Sequence, residues 1–273
     1  RAVPSSVGLW MAAWVEAFTD VVVLCNAVHD LVDACPLGTA AGYGVNLPLD
    51  REGVARELGF SRVLWNPMYA QNSRGTAELQ VLMAASQALL HVRRLAWDLS
   101  LFTTAEFGFV TLPERFTTGS SIMPNKRNPD GVELLRAAHG VVAGAMAELT
   151  DILSLPSGYQ RDLQATKGPF IRALSHALSA LRLVPPMLRG MAFNAERMEA
   201  AISADMYATD MAVELTGRGV PFRDAYRQVG GALASVGARD PRESLRARTS
   251  PGATADLRLD ALEARLRSAC GAA

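Results

Sequence analysis

The densest run of reactive side chains is Thr117-Thr118-Gly119-Ser120-Ser121-Ile122-Met123-Pro124-Asn125-Lys126-Arg127-Asn128-Pro129-Asp130. Gly119 admits backbone angles closed to other residues. Two adjacent hydroxyls, Ser120 and Ser121, are followed within a few residues by Lys126 and Asn128. Pro129 and Asp130 then open a helical pattern, and a helix N-terminus attracts anions through its unpaired N–H groups. Backbone N–H groups, Lys126 and Asn128 together suit a carboxylate or a phosphate. The run is not a P-loop, because the Gly-Lys-Ser/Thr ending is missing. No Gly-x-Ser-x-Gly occurs either, which leaves little support for a hydrolase built on Ser120 and Lys126. The same residues would also make a flexible polar linker, and residue types alone leave both readings open.

The elements that must position this loop are helices. Apolar residues at Val7, Trp10, Trp14, Ala17, Val21, Leu24, Val28 and Leu31 step by three or four, the helical period, and predict a helix over 5–34. The same pattern predicts helices over 76–102, 130–155 and 169–184, the last interrupted at Pro185-Pro186. Asp50 caps a short helix ended by Gly59. Shorter helices are expected at 195–203, 206–216, 223–235 and 257–268, and no strand is expected. The class is therefore all-α: a long-helix bundle over residues 1–193 carrying the serine loop, and a small helical domain over 194–273. Helices of 20 to 30 residues exceed the usual ~11–12. Their wide apolar faces predict a bundle completed by other subunits.

Composition narrows the function classes. Lys plus Arg and Asp plus Glu both total 27, so the net charge is zero, which argues against a nucleic-acid binder. The longest aliphatic runs, such as Val21 to Cys25, fall far short of a membrane span. Three cysteines without paired spacing support neither a disulfide framework nor a zinc site and point to a reducing compartment, the cytoplasm.

Gly119-Ser120-Ser121-Ile122-Met123-Pro124-x-Lys126-x-Asn128-Pro129 resembles the signature loop of the fumarase/aspartase superfamily, whose members eliminate fumarate from a succinyl-bearing substrate. Arg127 is compatible with adenylosuccinate lyases. Four other stretches resemble the argininosuccinate lyase family: Arg1-Ala2-Val3-Pro4; Cys35-Pro36-Leu37-Gly38; the run from Tyr159 to Lys167, read as Tyr-x-x-Asp-Leu-Gln-x-x-Lys; and Tyr207-Ala208-Thr209-Asp210 with Gly219-Val220-Pro221-Phe222-Arg223. The resemblance covers essentially the whole chain and corresponds to the C-terminal two-thirds of a family member, with the family's N-terminal domain absent.

The resemblance implies reversible elimination of L-arginine and fumarate from argininosuccinate, in a homotetramer, without metal or organic cofactor, nucleic acid or membrane. It makes Ser120 the general base and gives Glu133 the task of orienting a catalytic histidine. Ser121, Lys126, Asn128, Tyr159, Gln164 and Lys167 become substrate contacts. Arg74 joins them, although Asn72-Ser73-Arg74-Gly75 stands where the family more often has Ser-Asp-Arg-Asp. The family's Thr-His-x-Gln segment is expected just before Arg1. None of His29, His91, His139 and His176 matches its histidine, so the chain alone is expected to be inactive. Another fumarate-releasing lyase, such as adenylosuccinate lyase, and a catalytically silent relative with the same bundle are the alternatives.

Overall fold

The computed structural model describes residues 2–271. In chain order these form α1 (Val7–Val32), β1 (Ala34–Cys35), α2 (Arg51–Glu57), β2 (Arg62–Val63), α3 (Pro67–Asn72), α4 (Thr76–Phe102), β3 (Val110–Thr111), α5 (Asp130–Ile152), α6 (Lys167–Arg189), β4 (Ala192–Phe193), α7 (Ala195–Ala200), α8 (Ala208–Gly217), α9 (Phe222–Gly230), α10 (Pro241–Ala247) and α11 (Leu259–Ala269). The architecture is all-α, and the four long helices lie where the apolar period puts them. Asp50 caps α2 through the Gly53 N–H at 2.7 Å, and Gly59 follows the helix at φ +80°.

Several boundaries differ from expectation. Pro185-Pro186 does not interrupt α6, which runs on to Arg189. Its buried row, Ala173, Ala177, Ala180, Val184 and Met187, steps by four and three straight across the prolines. Proline's fixed φ is compatible with a helix, and burying Met187 is worth about 1.5–3 kcal/mol, which offsets part of the ~3 kcal/mol that each of the two interior prolines costs. The Arg115 guanidinium also donates to the Pro186 carbonyl at 3.2 Å. Strands do occur: β1 pairs with β2 in parallel, and β3 with β4 antiparallel. Two residues are too few to show alternation. Helices α7 and α9 stop short of 203 and 235, the latter at the Gly230-Gly231 pair. Helices α3 and α10 were not anticipated. Each opens on an Asx-Pro pair, with Asn66 accepting the Tyr69 N–H and Asp240 the Arg242 N–H, a start signal present in the sequence.

Packing groups the described residues into two compact units. Residues 20–101 and 112–191 form one, and 2–19, 102–111 and 192–271 the other. In the first unit α5 and α6 pack along their lengths. Its buried residues include Leu82, Leu89, Val92, Leu95 and Leu99 of α4, with Val132, Leu135, Val142 and Leu149 of α5. Arg51 ties the small-residue loop after β1 to the chain beyond β2. Its guanidinium donates to the carbonyls of Leu37, Trp65 and Leu64 at 2.8, 3.0 and 2.5 Å.

In the second unit α8 packs on α9 around Tyr207, Ala212, Ala225 and Val229. Asp210 there accepts from Arg248 at 2.6 Å and from the Ser244 hydroxyl at 2.5 Å.

Helix α1 differs from what unbroken aliphatic runs suggest. By length and composition alone it could cross a membrane, yet only 22% of its most apolar stretch is buried. Val23 and Leu31 are both about half exposed. Along the apolar row itself Trp14 and Val21 are buried and only Leu31 is exposed, and Val23 lies exposed off that row.

Candidate active site

The serine loop enters through a 3-10 turn, Glu114–Phe116, whose Phe116 ring is buried against Gly131 at the start of α5. Thr118 and Asn128 then form a two-bond antiparallel bridge, with N–H to carbonyl distances of 3.0 and 2.7 Å. The bridge makes a hairpin whose tip carries Ser120, Ser121 and Lys126. A tight turn closes the tip through the Lys126 N–H and the Met123 carbonyl at 3.0 Å.

Two backbone donors aim at the Ser120 hydroxyl oxygen: the Ile122 N–H at 3.2 Å and the Met123 N–H at 3.1 Å. Hydrogen bonds donated to an oxygen favour its charged form. An arrangement that presents two N–H groups to one oxygen lowers the cost of an alkoxide there, the state a serine base requires. From the sequence, Lys126, Asn128 and the helix N-terminus were the groups expected to hold negative charge here, and these two amides were missed. The signal was the serine itself, whose oxygen commonly caps N–H groups two and three residues on. Ser121 and Lys126 lie exposed at the tip, and the Lys126 ammonium has no carboxylate partner among the described residues.

The N-terminus of α5 carries its own acids, Asp130 and Glu133, in the first turn. The Thr118 hydroxyl bonds to the Asp130 carboxylate. The positive end of the helix is thus partly compensated by the chain. Glu133 pairs with Arg136 one turn on at 3.5 Å, and that guanidinium stacks 4.7 Å from the centre of the Trp97 ring.

A second group gathers at the other predicted substrate residues. The Arg74 guanidinium lies 5.0 Å from the centre of the Tyr159 ring. Lys167 donates to the Gln164 side-chain carbonyl at 2.8 Å. Arg74, Gln71, Asn72 and Gln160 help to line a cavity of about 200 Å³. Asn72, which sequence reasoning did not single out, accepts the Gly158 N–H at 2.7 Å.

The histidines lie elsewhere. His139 on α5 meets the Ser86 hydroxyl of α4 at 3.0 Å. Burial, and then the nearby Arg93 charge, lower its pKa from the ordinary histidine range. His29 is exposed beside Asp30, and His176 is exposed on α6. Among the described residues no group of three or more His, Cys, Asp and Glu could hold a metal ion.

Residues 1–144, more than half of the chain, match a family profile described simply as lyase. This chain belongs to the lyase family. Among relatives of this lyase, the argininosuccinate lyase of Sorangium cellulosum (strain So ce56) is 59% identical over 266 residues, 97% of this chain. Those of Stenotrophomonas maltophilia (strain R551-3) and Xanthomonas campestris pv. campestris (strain B100) are each 56% identical over the same share. The chain spans 62% of the length of each of these relatives. Solved lyases share the fold at low identity. An EDDS lyase variant with bound fumarate superposes with a TM-score of 0.77 at 21% identity, over 99% of this chain and 61% of that one. The class II fumarase of Schistosoma mansoni gives 0.65 at 19% identity, over 98% and 59%.

Proposed function

We propose that this chain is the serine-loop part of an argininosuccinate lyase, which reversibly splits argininosuccinate into L-arginine and fumarate. The carrying observation is identity of 56–59% to argininosuccinate lyases, sustained over 97% of the chain. Ser120, its oxygen held by two backbone N–H groups, takes the proton from the carbon next to a carboxylate. The electron pair left behind spreads into that carboxylate, where Lys126 and Asn128 balance the added charge. The pair then forms the fumarate double bond as the carbon–nitrogen bond breaks, and an acid protonates the departing guanidino nitrogen. None of the four histidines matches the family's catalytic histidine, so that acid is assigned to a residue beyond these, with Glu133 orienting it. Arg74, Tyr159, Gln164 and Lys167 hold the substrate, and Ser121 shapes the loop or touches it. The steps call for no metal or organic cofactor. The enzyme works in the cytoplasm as a homotetramer whose sites draw on several subunits.

The test is fumarate release by the full-length protein, offered argininosuccinate and adenylosuccinate separately. Release from argininosuccinate alone is expected. Release from adenylosuccinate alone would move the reading to that lyase. Release from neither would favour a silent relative.

A further inference from the structure

We propose that Asn72 is a positioning residue that sets Tyr159 for the substrate, with Arg74 as the second half of a two-point clamp. The inference rests on the reading of Tyr159 as a substrate residue. The main chain at Tyr159 is held from a distance of 86 residues: the Asn72 side-chain carbonyl accepts the Gly158 N–H at 2.7 Å. Gly158 is buried and lies at φ +95°, a conformation that favours glycine. A buried N–H left without a partner is costly, so this bond selects the position of the backbone just before Tyr159. The ring itself is half exposed, and the Arg74 guanidinium covers one face at 5.0 Å from its centre.

The turn that bears both residues is itself fixed. Helix α3 ends with the Ser73 N–H on the Tyr69 carbonyl at 2.8 Å. Gly75 lies at φ +82°, and its N–H donates to the Glu78 carboxylate at 2.7 Å. A Cβ on Gly75 would sit 2.5 Å from the Leu153 side chain and 3.3 Å from that of Thr166. Residues 72–75 therefore touch the 153–166 segment near both its ends and grip it in the middle. That segment carries Tyr159 and Gln164 and leads directly into Lys167. A side chain fixed before ligand arrives loses less freedom on binding, which raises affinity without adding a contact.

Steady-state kinetics of the full-length enzyme on argininosuccinate, with wild type, Asn72→Ala, Asn72→Asp, Tyr159→Ala and the Asn72→Ala/Tyr159→Ala double variant, tests this. Asn72→Ala should raise KM about five- to tenfold, with a smaller fall in kcat. Asn72→Asp keeps an acceptor and should recover most of that loss. In the Tyr159→Ala background, Asn72→Ala should add little, because its effect passes through the ring. Full additivity, or an unchanged KM in Asn72→Ala, would overturn the proposal. Hydrogen exchange in the peptide spanning residues 156–160 needs no activity. It should quicken in Asn72→Ala and return toward wild type in Asn72→Asp, and unchanged exchange would overturn the positioning role. A wild type that released no fumarate would remove the lyase reading instead, and the exchange arm would still decide whether Asn72 holds the Tyr159 segment.

Discussion

The Met123 N–H and the Ser120 hydroxyl oxygen, three residues apart, meet at 3.1 Å on the tip of the serine hairpin. With the Ile122 N–H at 3.2 Å, this gives one oxygen two donors that already point at it before substrate arrives. Preorganised donors of this kind stabilise charge without further rearrangement. In the full-length enzyme, Ser120→Ala is therefore expected to cut kcat by about 10²–10⁴-fold, the range of a general base, with little change in KM. Ser121→Ala should cost less. Near wild-type turnover in Ser120→Ala, with loss in Ser121→Ala, would move the base to the neighbouring residue.

Lys126 is the one cation of the hairpin tip whose proposed partner is the substrate itself. Removing it takes away charge balance in both the bound substrate and the developing aci-carboxylate. Lys126→Ala should raise KM and lower kcat together. Lys126→Arg, with a different shape of charge, should recover affinity more than turnover. A KM effect with kcat intact would limit Lys126 to ground-state binding.

The exposed apolar residues of α1 bear on assembly. With Val23 and Leu31 half exposed, the helix needs apolar cover. Light scattering of the full-length protein at micromolar concentration should give the mass of four chains. Val23→Glu should shift it toward smaller species. A compact monomer in the wild type would reject the proposed tetramer.

His139 should make stability fall in mild acid. Its folded pKa is lowered by burial and Arg93, so the unfolded chain takes up a proton more readily than the folded one. Stability from this source is complete above the unfolded histidine pKa, about 6.5. It declines as pH falls from there toward the lower folded value. The unfolding midpoint measured from pH 7.5 to 5 should drop less steeply for His139→Gln than for wild type. Parallel profiles would remove His139 as the source.

Asp210 anchors the second unit through Arg248 and Ser244, with the paired side chains only 13% and 22% exposed. Asp210→Asn keeps the shape but removes the charge that holds Arg248. A loss of about 1.5–3 kcal/mol is expected, the worth of hydrogen bonds to a charged group. Chemical denaturation reads it directly, and a loss below ~0.5 kcal/mol would show the anchor to be marginal.

The long helices were legible because their apolar rows repeat over many turns. The apolar period placed α4 and α5, and within them Leu82, Leu89, Leu95 and Leu99 and Val132, Leu135, Val142 and Leu149 are buried, whereas Met83 and Leu90 are exposed. The course of α6 through Pro185-Pro186 was not legible. Local propensity argued for a break, and what favours continuation is tertiary: the burial of Met187 and the Arg115 bond to the Pro186 carbonyl. The chemistry of the serine loop was readable as residue types. The donors at Ser120 were not, because backbone N–H groups carry no letter in the sequence. Asn72 was hidden for a related reason: its partner is a glycine amide 86 residues away.

Arg51 fastens the loop after β1 to the chain beyond β2, beside the Gln71 amide on the Ala40 carbonyl. Three carbonyls from two stretches of chain converge on a single planar fork. A lysine there would present one point of charge and could not span them. In a chain whose cysteines are free thiols, this fork does what a covalent staple does elsewhere, but without permanence. Because one side chain bonds both stretches, loosening it loosens both, so Arg51 couples their motion as well as their order.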